Sequence, residues 1–200
     1  SVMDTGWEIF YLWVTRMIMF GLYVPKEIPF KDVLVHGMLR DEKGQKMSKS
    51  KGNGINPVEM INKYGADATR MGLVAARDIT ADWMISKQQL EERIKGYRNF
   101  SNKIWNAARF VEGFKGEAPE ELTMTKWYTQ TLPEAAIRHI EKYRLGQAAE
   151  LLYDEFWHTF CDVKIEEAKK GKIGSEQLGK CLVQFLKLWH PQQYLPMPWI

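Results

Sequence analysis

From Asn56 onward the chain carries helix start signals and helical periodicity almost without a break, and this most constrains its fold. Asn56-Pro57-Val58-Glu59 combines an Asn N-cap, proline at the first helical position and glutamate at the third. Gly65 ends that helix, and a second is expected over about Ala66–Ala76. Ser86 and Gln89 form a capping box. It opens a long amphipathic helix from Lys87, with Leu90, Ile94, Tyr97, Ile104, Ala108 and Val111 on one face. A loop rich in Gly, Glu and Pro (Gly113–Glu121) precedes three further expected helices, over Thr125–Tyr143, Gln147–Lys170 and Ser175–His190. Pro133 should kink or break the first of these, because its ring lacks an N–H and crowds the preceding turn.

The first 52 residues read differently. Residues 8–22 look helical, with Phe10, Trp13, Met17 and Phe20 three or four apart. Pro25 and Pro29 break that run, and Val33-Leu34-Val35 is a short β-branched stretch suited to a buried strand. Gly37 ends the strand, and Asp41-Glu42-Lys43-Gly44 supplies turn chemistry. The expected fold is therefore α/β followed by all-α. We divide it at 1–55 (mixed α/β), 56–86 (helical connector) and 87–200 (helical bundle).

With 200 residues, 45% of them hydrophobic, the chain can bury a core without staples. A net charge of +3 is compatible with an RNA partner but does not demand one. Cys161 and Cys181 form no CxxC or Cys/His cluster, so no structural metal is expected and a reducing, cytoplasmic setting fits. The apolar run from Ile9 to Leu22 is cut by Arg16 and is too short to span a bilayer, so no membrane association is expected. The chain opens on Ser1 directly into patterned sequence, which suggests a piece of a longer protein.

Lys46-Met47-Ser48-Lys49-Ser50-Lys51-Gly52 packs three lysines and two hydroxyls into one loop. Ammonium groups, serine hydroxyls and loop N–H groups together suit a polyphosphate. A solvated basic loop has the same composition, so composition alone does not choose between them. On the long helix, Arg98, Asn102, Asn106 and Arg109 form a polar stripe at spacings of four, four and three. Such a stripe suits unpaired RNA bases and phosphates, and equally a solvated helix face that it shares with Glu91 and Glu92.

The order of the residues goes further. Lys46-Met47-Ser48-Lys49-Ser50 is the signature loop of class I aminoacyl-tRNA synthetases. The stretch from His36-Gly37-Met38 through Gly52-Asn53 resembles the valyl branch of that class. So do Asp4-Thr5-Gly6-Trp7-Glu8-Ile9-Phe10 with Arg16-Met17, and Arg98-Asn99-Phe100 with Trp105-Asn106-Ala107-Ala108-Arg109-Phe110. Phe160-Cys161-Asp162 and His190-Pro191 sit where the family has similar residues. Departures from its pattern fall at Gly54, Val163-Lys164, Pro133 and Gln192-Gln193-Tyr194.

The resemblance implies the distal part of a Rossmann-like catalytic domain followed by an anticodon-binding bundle. It implies ATP, with Mg2+, and valine as substrates, valyl-adenylate as intermediate and tRNA(Val) as acceptor, with no role for DNA. Lys46 and Lys49 would clamp the phosphates and stabilise charge on departing pyrophosphate. Met47 would pack near adenine, and Ser48 and Ser50 would hold the loop. Gly6 would permit close approach of the adenosine, Glu8 would accept from ribose, and His36-Gly37 would border the adenine. Ile9 and Trp13 would line the valine pocket, although core packing accounts for them as simply. Phe110 and Arg109 would contact the anticodon, with Arg98, Asn102, Arg93 and Lys103 beside them. His-Ile-Gly-His, the family's first ATP signature, is absent from these residues, so the segment alone should be inactive without an N-terminal half. A non-catalytic tRNA-binding module and an isoleucyl or leucyl relative are the alternative readings.

Overall fold

The computed structural model describes residues 1–48, 50–75, 80–118 and 122–194. Strand β1 (Val2–Gly6) and strand β2 (Asp32–His36) lie parallel, with Val2 opposite Asp32 and Gly6 opposite His36. Parallel neighbours need a crossover, and helix α1 (7–23) supplies it. Its middle, Phe10–Val14, is a π-helical stretch between Trp7–Ile9 and Thr15–Tyr23. The expected apolar face of this helix is not buried among the described residues. Val14 is fully buried, but Trp13 and Phe20 are 55% and 67% exposed. The cause is the small sheet: two strands cover only one side of a crossover helix.

A second parallel pair joins β3 (Leu39–Arg40) to β4 (Trp83–Met84). Gly37 stands where the chain passes from β2 to β3 against residues 81 and 82. A Cβ there would lie 2.2 Å from the Ala81 carbonyl carbon and oxygen, so a side chain cannot fit without moving backbone. Asp82 bridges the two segments: its carboxylate accepts from Met38 N–H at 2.8 Å and from Arg40 Nε at 2.6 Å. Those hydrogen bonds, first that from Met38, hold the Asp82 carboxyl below its ordinary value.

The helical part follows its caps. Helix α2 (Pro57–Tyr64) starts with Asn56 accepting from Val58 N–H, and α3 (Ala66–Val74) follows. The long α4 (Lys87–Gly113) opens with the complete Ser86/Gln89 capping box. The last expected helices are found at α5 (122–141), α6 (145–169) and α7 (Ser175–Tyr194). Pro133 does not break α5, one of the two outcomes expected of it. It sits in the first turn of Leu132–Glu141, directly after the π-helical stretch Trp127–Thr131. The wider turn relieves the demand for the N–H that proline lacks, and the Thr129 hydroxyl donates to Thr125 O at 2.7 Å.

Two buried clusters organise the packing. One joins α2, α3 and the start of α4 through Met60, Ala68, Ile85, Leu90 and Ile94, with Leu39 and Met47 packed against it. It therefore crosses the boundaries drawn at 55 and 86. The other fills the bundle around Phe100, which is fully buried. Phe100 stacks on Tyr153 (4.5 Å, 30°) and meets Phe156 (5.7 Å, 85°) and Trp189 (4.8 Å, 65°) edge-on. Cys161 and Cys181 are free thiols inside this bundle, and burial pushes Cys161 up to about 11. Among the described residues no helix is long and apolar enough to cross a membrane.

Candidate functional site

The carboxyl ends of β1 and β2, with the first turns of α1, enclose a cleft of about 250 Å³. Its lining brings together Gly6, Ile9, Trp13 and His36, all singled out from the sequence, with Met3, Asp4, Thr5 and Met17. Gly6 and His36 meet because they are register partners. Ile9 precedes the π-helical stretch and Trp13 lies within it, so the widened turn carries both onto the cleft wall. The lining combines apolar Met3, Ile9, Trp13 and Met17 with polar Asp4, Thr5 and His36. Such a lining suits a small molecule with a compact apolar group and a polar head.

Asp4, Thr5 and Met17 were not marked as site residues from the sequence. Their signal is positional: β1 must pair with β2 before alternate residues can be assigned to the cleft. Asp4 also supplies a carboxylate near His36, which inspection of the neighbouring sequence does not show. Burial pushes the Asp4 carboxyl above its ordinary value, opposed by nearby His36 and by the Thr5 N–H. Burial likewise pushes His36 below its ordinary value, opposed by the Gly37 carbonyl and by Asp4. His36 Nδ1 donates to Gly37 O at 3.1 Å. This fixes the ring beside Gly37, which closes the end of β2.

The lysine loop reaches the same strand end. Lys46 Nζ is paired with Glu8 Oε2, joining the loop to the first turn of α1. Glu8 also faces the positive end of that helix. Ser48 Oγ lies 3.2 Å from Ser50 Oγ and accepts from Lys51 N–H at 3.3 Å. Met47 is not part of the cleft lining. It is half-buried against the connector cluster, and its N–H donates to Leu39 O at 3.0 Å. Lys49 lies outside the described residues.

On α4 the residues proposed for RNA separate into two groups. Arg93, Lys103 and Phe110 are engaged inside the protein. Arg93 Nη2 donates to Ala75 O at 2.5 Å, and its guanidinium sits 5.8 Å from the Trp83 ring centre. Lys103 pairs with Asp162 at 2.8 Å and lies 4.4 Å from the Trp157 ring centre. Phe110 stacks on Phe114 at 5.4 Å, with Lys169 Nζ 5.4 Å from its ring centre. Asn102 and Arg109 are exposed, as are Asn106 and Trp105, the latter by 67%. Arg98 is exposed too, although one guanidinium nitrogen donates to Lys63 O at 3.0 Å. Among the described residues no group of three His, Cys, Asp or Glu side chains is arranged to hold a metal ion.

Two family models match the chain. Residues 1–86 match the family model of class I tRNA synthetases (I, L, M and V), and residues 126–192 match that of the anticodon-binding domain of tRNA ligases. A valine--tRNA ligase of Clostridium tetani is 41% identical over 96% of this chain and 24% of its own length. One from Bacillus cereus is 42% identical over 94% of this chain and 23% of its own. The chain thus spans about a quarter of the length of the curated relatives it matches. In fold it is similar to a leucyl enzyme, LeuRS of Agrobacterium radiobacter, solved in a ternary complex with tRNA and LeuAMS. That match has TM-score 0.71 and 19% identity, over 96% of this chain and 26% of the other. A methionyl-tRNA synthetase of Mycobacterium tuberculosis, solved with methionyl-adenylate, gives TM-score 0.65 and 19% identity over 94% and 38%.

Proposed function

Because the chain belongs to the class I tRNA synthetases and carries an anticodon-binding domain of tRNA ligases behind the catalytic segment, we propose that it is part of a valine–tRNA ligase. Valine is the amino acid named for the relatives about 40% identical to it. In the proposed reaction the valine carboxylate attacks the α-phosphorus of ATP, and pyrophosphate leaves with its Mg2+. A ribose hydroxyl at the tRNA end then attacks the carbonyl of valyl-adenylate and releases AMP.

The pairing of Lys46 with Glu8 carries this reading, because it joins the lysine loop to the first turn of α1, beside the strand end that lines the cleft. In the proposed reaction the ammonium groups of Lys46 and Lys49 meet the charge that grows on the leaving pyrophosphate. Glu8 takes the ribose hydroxyls when Lys46 turns to phosphate. Gly6 admits the adenosine, with the His36-Gly37 backbone at its edge, and Ile9 and Trp13 enclose the valine side chain. Ser48 and Ser50 shape the loop. Met47, packed on the connector cluster, anchors the loop. For tRNA(Val), the exposed Arg109, Asn102 and Arg98 are the contacts we favour. Phe110 offers its outer ring edge, and Arg93 and Lys103 act indirectly by shaping the helix surface.

Among the described residues the segment forms two two-stranded sheets and it carries no His-Ile-Gly-His, so we expect the 200 residues alone not to form adenylate. The test is ATP–pyrophosphate exchange by the complete gene product containing these residues, with valine and with isoleucine. Exchange is expected with valine, and Lys49→Ala should slow it about 10²-fold, the effect of losing one charge-stabilising donor. Exchange with isoleucine alone would overturn the valine assignment. An unaltered rate in Lys49→Ala would overturn the role of the loop.

A further inference from the structure

Asp41 and Asn53 stand on either side of the lysine loop, twelve positions apart, and their side chains meet. Asn53 Nδ2 donates to Asp41 Oδ2 at 2.8 Å and to the Lys46 carbonyl at 3.3 Å. Asn53 Oδ1 accepts from the Ser48 N–H at 3.0 Å. The other Asp41 oxygen accepts from the N–H groups of Lys43 and Gln45, at 3.0 and 2.9 Å. Two side chains thus fix the backbone at residues 43, 45, 46 and 48, and the last two flank Met47.

The arrangement needs these residue types. A planar amide offers two N–H donations and an acceptor oxygen from one rigid group, and asparagine is the shorter of the two side chains that carry one. Its partner must accept twice on one oxygen and once on the other, as an ionised carboxylate does. Asn53's hydrogen bond, followed by that of the Gln45 N–H, holds the Asp41 carboxyl below its ordinary value. Gly44 and Gly52, at φ +74° and +67°, turn the chain at the two ends so that 41 and 53 can face each other. The pair is itself tied to β3. The Asp41 N–H donates to Gln45 O at 2.8 Å, and Arg40 Nη1 donates to Gly44 O at 3.1 Å.

We propose that Asn53, locked by Asp41, is the positioning residue of the lysine loop: by holding the Lys46 carbonyl and the Ser48 N–H it sets where the Lys46 ammonium stands. The inference rests on the adenylate-forming role proposed above. Neither residue touches the substrate; both act through the loop backbone. If the lysines act on charge that appears only as pyrophosphate leaves, a misplaced loop lowers kcat and leaves the KM for ATP nearly unchanged.

The experiment uses the complete gene product and follows valine-dependent ATP–pyrophosphate exchange together with amide hydrogen exchange at Gln45 and Ser48. Asn53→Ala should lower kcat about 30- to 100-fold, the scale of an ångström-level misplacement, with KM for ATP changed less than about threefold. The Ser48 amide should lose its protection. Asn53→Asp should do at least as much harm, because it sets a carboxylate against Asp41 and against the Lys46 carbonyl. Adding Asp41→Asn to Asn53→Asp restores one donor facing one acceptor between 41 and 53, while the acceptor for the Ser48 N–H is kept and the donor to the Lys46 carbonyl stays lost. The double variant should recover part of the lost kcat and of the Ser48 protection. Merely structural damage would not be relieved by exchanging the two side chains.

An unchanged kcat in Asn53→Ala, or a double variant no better than Asn53→Asp alone, overturns the positioning role. A loss seen in KM for ATP with kcat intact overturns it as well. Lys49→Ala separates the two levels. If that variant is slow and Asn53→Ala is not, only the positioning role falls; if Lys49→Ala is itself unaffected, the catalytic reading falls and the positioning role with it.

Discussion

Replacing Tyr128 with phenylalanine removes one buried hydrogen bond without reshaping the core. The Tyr128 hydroxyl donates to Glu155 Oε1 at 2.7 Å, and the two residues are only 1% and 8% exposed. Burial first, then the adjacent Glu155, pushes the Tyr128 hydroxyl far above its ordinary value, so it stays protonated and remains the donor. Phenylalanine keeps the ring edge-on to Phe160 (5.9 Å, 72°), so no cavity opens. What remains is a carboxyl oxygen that neither a donor nor bulk water reaches. Leaving one buried polar partner unmet costs about 1–3 kcal/mol, and the low exposure of both residues points to the upper half, about 2–3. Glu155→Leu alone should cost a similar amount, by stranding the hydroxyl. The pair Tyr128→Phe with Glu155→Leu removes both groups and should lie within about 1 kcal/mol of the starting protein. The assay is urea unfolding followed by circular dichroism, with the slope checked for constancy across the four proteins. A double-mutant cycle with no coupling energy, the single losses simply adding, would refute the argument.

Three further outcomes are expected. Gly37→Ala should destabilise the chain by about 3 kcal/mol or more, since its Cβ would meet the Ala81 backbone at 2.2 Å; an unfolding midpoint near that of the parent would show that β3 has room to move. In an NMR titration the His36 ring should protonate below its ordinary 6.5, because burial outweighs the Gly37 carbonyl and Asp4. Stability contributed by neutral His36 is then fully present above 6.5 and falls as pH drops from 6.5 towards the lowered value. Asp4→Asn removes a contribution that raises the His36 value, so it should move the midpoint lower still; an upward move would contradict the placement. For tRNA, Arg109→Ala should weaken binding by the complete protein and reduce its salt dependence, while Lys103→Ala should chiefly lower stability, by about 1 kcal/mol, through loss of the Asp162 pair and the Trp157 contact. Filter binding across a salt series, with thermal melts alongside, distinguishes the two.

Whatever depends on neighbours along the chain was legible in the residues alone. Asn56, Ser86 and Gln89 cap helices because their side chains reach N–H groups two or three residues away. The Lys46–Gly52 loop is legible for a related reason, since its lysines and hydroxyls are adjacent. Tertiary structure decided whatever depends on a partner far along the chain. Phe100 became the centre of the bundle because it faces Tyr153, Phe156 and Trp189 on other helices; the period of its own helix pointed instead to the stripe from Leu90 to Val111. Pro133 stayed within a helix because a π-helical turn ahead of it absorbed the missing donor. Asp4 entered the cleft only through the register of β1 on β2, and Lys46 met Glu8 across 38 residues. Hydrogen bonds that close within one turn are fixed by residue type and spacing. Those that close across the fold exist only once apolar burial has brought the segments together.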